Sequence, residues 1–144
     1  MAKNINGTQI NQSVTIVEKA GKAIADARNL IMKYDTDGNV VPASAGTDTL
    51  LGVAIIEAGY NDVSGVESGK VEAGDDVDIQ IKDIGYILAG AEIKKGNEVT
   101  ADKDGKAAVA AAGNHVIGVA LSNANAGGYV RVQITKYVKG GATA

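Results

Sequence analysis

The aspartates of two short motifs have the spacing that most resembles a cation site. The pattern D-x-D-G occurs over residues 35–38 and again over residues 102–105. A calcium-binding EF-hand loop also requires a third acidic or amide ligand and a glutamate at its twelfth position. Both turns lack those ligands, and Lys103 and Lys106 place positive charge beside the second turn. We therefore interpret both motifs as hairpin turns, in which aspartate accepts hydrogen bonds from the backbone and glycine adopts a positive φ.

The composition excludes most other kinds of site. The chain has no cysteine and a single histidine, His115, which excludes thiol catalysis, structural zinc, disulfides and histidine-pair metal sites. No serine or carboxylate partner marks His115 as a catalytic base, and no glycine-rich phosphate loop is present. The aromatic residues are five scattered tyrosines, which disfavours sites that stack sugars or single-stranded nucleic acid. We expect no enzyme activity, no cofactor and no bound metal.

Length and composition predict a small β-rich domain. A chain of 144 residues matches one globular domain. With 45% hydrophobic and 3% aromatic residues, the core must consist of Val, Ile, Leu and Ala. Nineteen glycines and one proline predict many tight turns. No membrane-length apolar run and no signal-peptide core occur, so we expect a soluble protein made in a cytoplasm, without a membrane partner.

Charge is unevenly distributed along the chain. The net charge of −3 argues against nucleic acid as a partner. From Glu57 to Asp83 the chain has eight acidic residues and two lysines, a net charge of −6, and the remainder of the chain has a net charge of +3. This acidic 57–83 segment either orients a partner electrostatically or consists of solvated loops.

The ends of the chain differ from its middle. Residues 1–13 are polar and amide-rich without periodicity, which predicts an extended or flexible arm. A short β-branched strand follows at 14–17. The stretch 18–28 is compatible with a short helix or with a strand–turn–strand. Residues 139–144 are predicted to form a flexible tail.

The middle of the chain contains an internal repeat. The run over residues 32–41 has a partner over residues 99–108, and the Asp-Gly pairs lie 67 positions apart. The Gly-Val-Ala triplets that follow are 66 positions apart. We interpret residues 14–138 as one β domain with a duplicated unit, about 28–84 and 95–138. The first copy carries about a dozen extra residues before its last strand.

Alternation along the last strand of each copy predicts one buried face and one solvated face. The predicted buried residues are Val77, Ile79 and Ile81 in the first copy, and Val130, Val132 and Ile134 in the second. The predicted solvated residues are Asp78, Gln80 and Lys82 in the first copy, and Arg131, Gln133 and Thr135 in the second. Glycine inside LLGVAI and VIGVAL marks a bulge or a close approach of two backbones.

These patterns together predict the fold class. We expect an all-β protein, a compact β-barrel or sandwich built from two similar β-hairpin units. The extended N-terminal arm precedes it, and at most one short helix is present.

The order of these motifs resembles a known family. A polar arm precedes K-Y-D-x-D-G-x-V-V-P-A, then L-G-V-A, an alternating strand and Gly85-Tyr86-Ile87. G-A-E-I-K-K-G-N-E-V, D-x-D-G-K-A, I-G-V-A-L and V-R-V-Q-I follow. Over about residues 14–138 this resembles the small capsid decoration (cement) proteins of tailed bacteriophages.

The resemblance implies a structural virion protein. It implies binding to the outer surface of the expanded head, where the protein would cement neighbouring subunits of the major capsid protein against internal DNA pressure. It further implies a homo-oligomer, with a trimer favoured and a dimer possible, made in the host cytoplasm. The arm would contact the capsid lattice or add a strand to a capsid edge. The arm residues expected to do so are Ala2, Lys3, Asn4, Ile5, Asn6, Gln9, Ile10 and Asn11.

Two alternatives come from other classes of protein. A different virion module, such as a fibre base or tail component, would be expected to show extended repeats or coiled-coil heptads. A small ligand-binding or hydrolytic β-barrel would be expected to show a buried polar cluster and an aromatic lining. The sequence shows neither set of features.

Overall fold

The computed structural model describes residues 14–56, 58–60, 63–64 and 67–141. This part of the chain forms ten β-strands and contains no helix, which confirms the all-β fold class. Within it, no helix is long and apolar enough to cross a membrane. The first five strands are β1 (Thr15–Lys19), β2 (Ile31–Tyr34), β3 (Val40–Pro42), β4 (Gly52–Ala54) and β5 (Asp76–Gln80). The second five are β6 (Ile84–Leu88), β7 (Glu98–Ala101), β8 (Ala107–Val109), β9 (His115–Ala120) and β10 (Tyr129–Val138).

The strands form two antiparallel sheets with the same internal order. The first sheet runs β1-β5-β4-β2-β3 and the second runs β6-β10-β9-β7-β8. Each strand of the second sheet therefore takes the place of the strand five earlier in the first. Isolated bridges, Ala20 with Val40 and Ala89 with Ala107, bring the two outer strands of each sheet together without a ladder. Because the outer strands meet at a single bridge and not along a ladder, neither sheet closes into a barrel. The fold is sandwich-like.

We call residues 15–80 the first unit and residues 84–138 the second unit. Their backbone hydrogen bonds also correspond, at positions outside the paired strands. The corresponding pairs are Gly21 N to Val40 O with Gly90 N to Ala107 O, Ile24 N to Val71 O with Ile93 N to Ala124 O, and Gly74 N to Ala20 O with Gly127 N to Ala89 O. This correspondence supports the proposed duplication and extends it to β1, which lies before residue 28.

The stretch 18–28 is not helical, so of the two interpretations left open the helix is wrong. β1 continues to Lys19, and an isolated bridge joins Ile24 to Val71. The amide of Ile24 donates to Val71 O at 2.7 Å, and Ile24 O accepts from Val71 N at 2.9 Å. These tertiary bonds satisfy the backbone groups that a helix would have paired locally.

The two D-x-D-G motifs are hairpin turns, as predicted. In the β2–β3 turn, Asp35 Oδ1 accepts from the backbone amides of Asp37 and Asn39 at 2.9 and 3.0 Å. Gly38 adopts a φ of 84°. In the β7–β8 turn the same bonds run from Asp104 and Lys106 to Asp102 Oδ1, at 2.8 and 3.0 Å, and Gly105 has a φ of 78°.

The glycines of the Gly-Val-Ala triplets mark close backbone approaches, again as predicted. A Cβ on Gly52 of β4 would lie 2.3 Å from the carbonyl oxygen of Gln80 on β5. A Cβ on Gly118 of β9 would lie 1.9 Å from the carbonyl oxygen of Gln133 on β10. Neither position accommodates a side chain without moving the neighbouring backbone.

The core divides into two clusters, and one of them crosses between the units. The first unit's own cluster is centred on residues such as Met32, Val77 and Ile79, all fully buried. The second cluster contains the inward residues of the second unit together with four residues of the first. These four are Ile31, Ala43, Leu50 and Val53. The second sheet therefore completes its core with side chains from the first unit.

Burial along β10 follows the predicted alternation, whereas β5 departs from it at Gln80 and in part at Asp78, which was predicted to be solvated and is half-buried. Val77, Ile79, Val130 and Val132 are fully buried. Ile134 is also buried, Ile81 is half-buried, and the residues between those of β10 are exposed. Gln80 was predicted to be solvated but is only 8% exposed. Its Nε2 donates to the carbonyl oxygens of Lys82 and Ile84, each at 2.8 Å, so it is buried at the connection between the units.

Candidate interaction surface

The predicted arm residues, from Ala2 to Asn11, lie outside the described residues, but the point where the arm joins the domain is described. Val14 is 45% exposed, and its carbonyl oxygen accepts from Ile81 N at 3.1 Å. β1 is an outer strand, and among the described strands it forms a ladder with β5 only. Just after Ile81, the chain turns at Asp83, with a φ of 70°, into β6. The arm therefore joins the domain at the start of an outer strand, beside the connection between the units.

Two outward faces occupy corresponding places in the two units. The first face is the outer side of the β1–β5 ladder, and the second face is the outer side of the β10–β6 ladder. Val17 lies opposite Asp78 at the centre of the first, and Tyr86 lies opposite Arg131 at the centre of the second. The matching register means that each face is built on a ladder of five paired residues, with the same position at its centre.

The first face is largely charged. Its outward residues are Thr15, Val17, Lys19, Asp76 and Asp78. The Lys19 ammonium lies 2.6 Å from an Asp76 carboxylate oxygen. The hydrogen bond to Asp76 and the attraction of that carboxylate raise the pKa of Lys19. Asp78 has no ion-pair partner among the described residues, which leaves the face with one cation and two carboxylates.

The second face is aromatic and aliphatic. Its outward residues are Ile84, Tyr86, Tyr129, Arg131 and Gln133. Ile84 is 47% exposed, and Tyr86 and Tyr129 are each 55% exposed. Arg131 donates from its guanidinium to Leu121 O at 3.4 Å and pairs with no carboxylate of the described chain. Tyrosine and arginine are the residue types enriched at protein–protein interfaces, so this face has the composition of a docking surface.

A small cavity adjoins the second face. It has a volume of about 200 Å³, and its lining includes Asn29, Ile56 and Tyr86. Asn29 has a φ of 63°, and its Nδ2 donates to Tyr86 O at 2.9 Å. Its Oδ1 has no hydrogen-bond partner within the described ranges of the chain. This volume is below the roughly 300–1,000 Å³ of ordinary ligand pockets. At this site, the hydrogen bond from Asn29 to the backbone of β6 joins the two units.

A cluster at the end of β10 joins a tyrosine, a glutamate and a lysine. The Tyr137 hydroxyl donates to Glu98 Oε2 at 2.6 Å, and the Lys139 ammonium lies 3.2 Å from Glu98 Oε1. These hydrogen bonds lower the pKa of Glu98, and the bond to Glu98 raises the pKa of Tyr137. The contacts tie the end of β10 to β7 and leave no catalytic arrangement there.

The structure also answers the question of metal ligands in the D-x-D-G turns. Among the residues that the structure describes, no three His, Asp or Glu side chains lie close enough to hold a metal ion. The aspartate oxygens of both turns accept backbone amides instead, as described above.

Part of the acidic 57–83 segment is locally paired. Besides Asp76 with Lys19, the Glu67 carboxylate lies 3.0 Å from the Lys70 ammonium. Asp78 is the member of this segment that lies at the centre of the first face.

The alternation along β10 correctly predicted that Arg131 and Gln133 lie on a solvated face. It did not predict that tyrosines lie beside them. Tyr86 and Tyr129 are 43 positions apart and become neighbours only through the β10–β6 register. Continuing the repeat one strand further toward the N-terminus would have revealed the correspondence between β1 and β6.

Comparisons with known proteins agree with this architecture. No curated protein matches the chain. The crystal structure of the head fiber gp8.5 N base of bacteriophage phi29 is similar, with a TM-score of 0.59 and 23% sequence identity. The alignment covers 86% of this chain and 95% of that one, and at this identity the likeness establishes the fold alone. A family model described as structural cement protein (E217 gp24/Pam3 gp6) matches residues 1–135. The chain therefore belongs to the phage structural cement protein family, whose members are structural proteins of the phage capsid.

Proposed function

We propose that this protein binds the outer surface of the expanded phage head and cements neighbouring subunits of the major capsid protein, without catalysing a reaction. The observation that carries the proposal is the match to the structural cement family over residues 1–135. That match includes the N-terminal segment as well as the β domain. On the head, the protein would stabilise the shell against the pressure of packaged DNA.

The arm, residues 1–13, is the proposed attachment to the shell. Its junction with the domain supports this role, because β1 is an outer strand and Val14 marks the end of its contacts with β5. β5 is followed by a turn into β6, so the described ladder between β1 and β5 ends close to this junction. We propose that the arm adds as an extended strand to a sheet edge of the capsid, since main-chain hydrogen bonds give such pairing its affinity.

The proposed oligomer adds to this attachment. We favour a trimer, with a dimer as the alternative, because a closed assembly presents several arms to the shell at once. Linked binding events strengthen overall attachment without any single tight contact. Weak arm–capsid contacts would then be sufficient to hold the protein on the head.

Deleting residues 2–13 tests the arm directly. We expect the truncated protein to keep its β-sheet circular dichroism and melting temperature and to lose its occupancy on expanded, undecorated heads. Occupancy is measured by cryo-electron microscopy and by gel analysis of purified heads. A matched control replaces residues 2–13 with a Gly/Ser segment of equal length, which keeps the spacing and removes the side chains. Normal head occupancy by both variants would contradict the proposal.

A further inference from the structure

We propose that copies of this protein associate head-to-tail, with the first face of one copy packed against the second face of the next. This inference rests on the self-association proposed above and names the surfaces that would produce it. It assigns partners to Asp78 and Arg131, which have no ion-pair partner among the described residues.

Charge complementarity is the first argument. The first face carries Lys19, Asp76 and Asp78, a balance of one positive against two negative charges. The second face carries Arg131 as its charged residue. The two faces are thus opposite in net charge, and like-charge pairing of a face with itself would be unfavourable. An interface between different faces satisfies both charges.

The matching geometry is the second argument. Asp78 and Arg131 occupy the same position in the two units, each opposite the central residue of an outer strand. Both faces belong to an outer strand and its neighbour, so they present surfaces of similar width. Packing the faces centre on centre, with β5 of one copy over β10 of the next, brings Asp78 close to Arg131 and Val17 close to Tyr86.

Exposure is the third argument. Val17 is 57% exposed and Tyr86 is 55% exposed, so the two faces of one chain do not cover each other. Large apolar side chains clustered on one face are typical of an interaction surface. Covering Val17 together with the second face would remove this apolar area from water.

The relation between the units within one chain also favours a head-to-tail arrangement. Gly105 at the tip of the second unit's hairpin accepts from Ile31 N of the first unit at 2.8 Å. The corresponding Gly38 has nothing within 4 Å of an added Cβ. The units therefore pack through different surfaces rather than around a two-fold axis. A heterologous contact of the same kind between copies forms a closed ring when its rotation closes.

Charge exchange tests the pairing. We expect Arg131→Asp and Asp78→Arg each to weaken self-association about tenfold or more, since each places like charges at the centre of the interface. The double variant Arg131→Asp/Asp78→Arg restores opposite charges and should recover most of the wild-type association. Sedimentation velocity and equilibrium of the full chain measure the association, and circular dichroism confirms that each variant is folded.

The matched control is Lys103→Asp, which makes the same change of charge on a side chain that is 87% exposed and outside both faces. We expect it to leave association unchanged. Mixing the two single variants provides a second measurement, because the aspartate introduced on the second face of one variant meets the arginine introduced on the first face of the other. The mixture should associate more strongly than either variant alone.

Four results would overturn the inference. The first is a wild-type protein that sediments as a monomer at every concentration, which would also refute the proposed oligomer while leaving the arm experiment unaffected. The second is a wild-type oligomer that both single variants preserve. The third is failure of both the double variant and the mixture to restore association. The fourth is unchanged association of Arg131→Asp combined with reduced head occupancy, which would assign the second face to the capsid.

Discussion

At the scale of single residues, Gly52 and Gly118 permit the close packing of neighbouring strands. Each lies on the fourth strand of its unit, against the carbonyl oxygen of a glutamine on the fifth strand. Glycine is required at both positions because a Cβ would clash with the neighbouring strand. The backbone conformation is not the reason, since neither residue has a positive φ. The repeat therefore preserves a contact that depends on the approach of two backbones.

Substitution of Gly118 tests this interpretation. We expect Gly118→Ala to lower the free energy of unfolding by about 2–3 kcal/mol, because its Cβ would displace the backbone of β10. Urea denaturation followed by circular dichroism measures the change. Gly140→Ala is the control, since nothing lies within 4 Å of its added Cβ, and its effect should stay within about 0.5 kcal/mol. Equal effects of the two substitutions would refute the packing argument.

At the scale of structural elements, the two D-x-D-G hairpins have the same internal bonds but different surroundings. The turn between β7 and β8 docks on the first unit through the bond from Ile31 N to Gly105 O. The turn between β2 and β3 has open space around Gly38. One copy of the motif thus has a role in joining the units, whereas the glycine at the tip of the other contacts nothing of the second unit.

This difference predicts unequal mutational effects. We expect Asp102→Ala to cost about 1 kcal/mol more than Asp35→Ala, because each loses two turn hydrogen bonds but only the first loosens the contact with Ile31. Thermal and urea unfolding measure both variants. Asp102→Asn is the control, because an amide oxygen still accepts from the backbone at this position. A cost for Asp35→Ala equal to or larger than that for Asp102→Ala would show that the docking contributes nothing.

At the scale of the whole molecule, the two sheets share part of their hydrophobic core. Ile31, Leu50 and Val53 belong to the first unit but pack with the inward residues of the second. The Asn29 side chain donates to Tyr86 O, which adds a polar link across the same boundary. Separating the two units would break both of these contacts.

We therefore expect the β domain to unfold in one transition. The calorimetric and van't Hoff enthalpies of the domain should agree, as for a two-state protein. Leu50→Ala should destabilise the domain by about 2–4 kcal/mol and should increase amide exchange in β7 and β9 as well as in β4. Exchange that increases in the first unit alone would contradict a shared core.

Local patterns were sufficient to determine much of this molecule. The two aspartate turns and the alternation of Val130, Val132 and Ile134 each depend on bonds or sterics within a few residues. Their spacing also revealed the internal repeat and the resemblance to phage cement proteins. The turns and the alternation can be read from sequence because the turn chemistry and the side-chain period do not depend on distant contacts. The glycines of the triplets are readable for another reason: a glycine inside an apolar strand marks a close backbone approach, although the structure alone shows that the partners are Gln80 and Gln133.

Only the tertiary structure decided the features that depend on residues distant in the chain. The stretch 18–28 is not helical because Ile24 pairs with Val71, and Gln80 is buried because the second unit begins beside it. Tyr86 and Tyr129 form one face because the register of β6 against β10 brings them together. Strand pairing and the packing of one unit on another set these contacts, and neither follows from the periodicity of a single segment. The sequence by itself thus determined the repeating β unit, whereas the tertiary structure determined which surfaces that unit leaves for a partner.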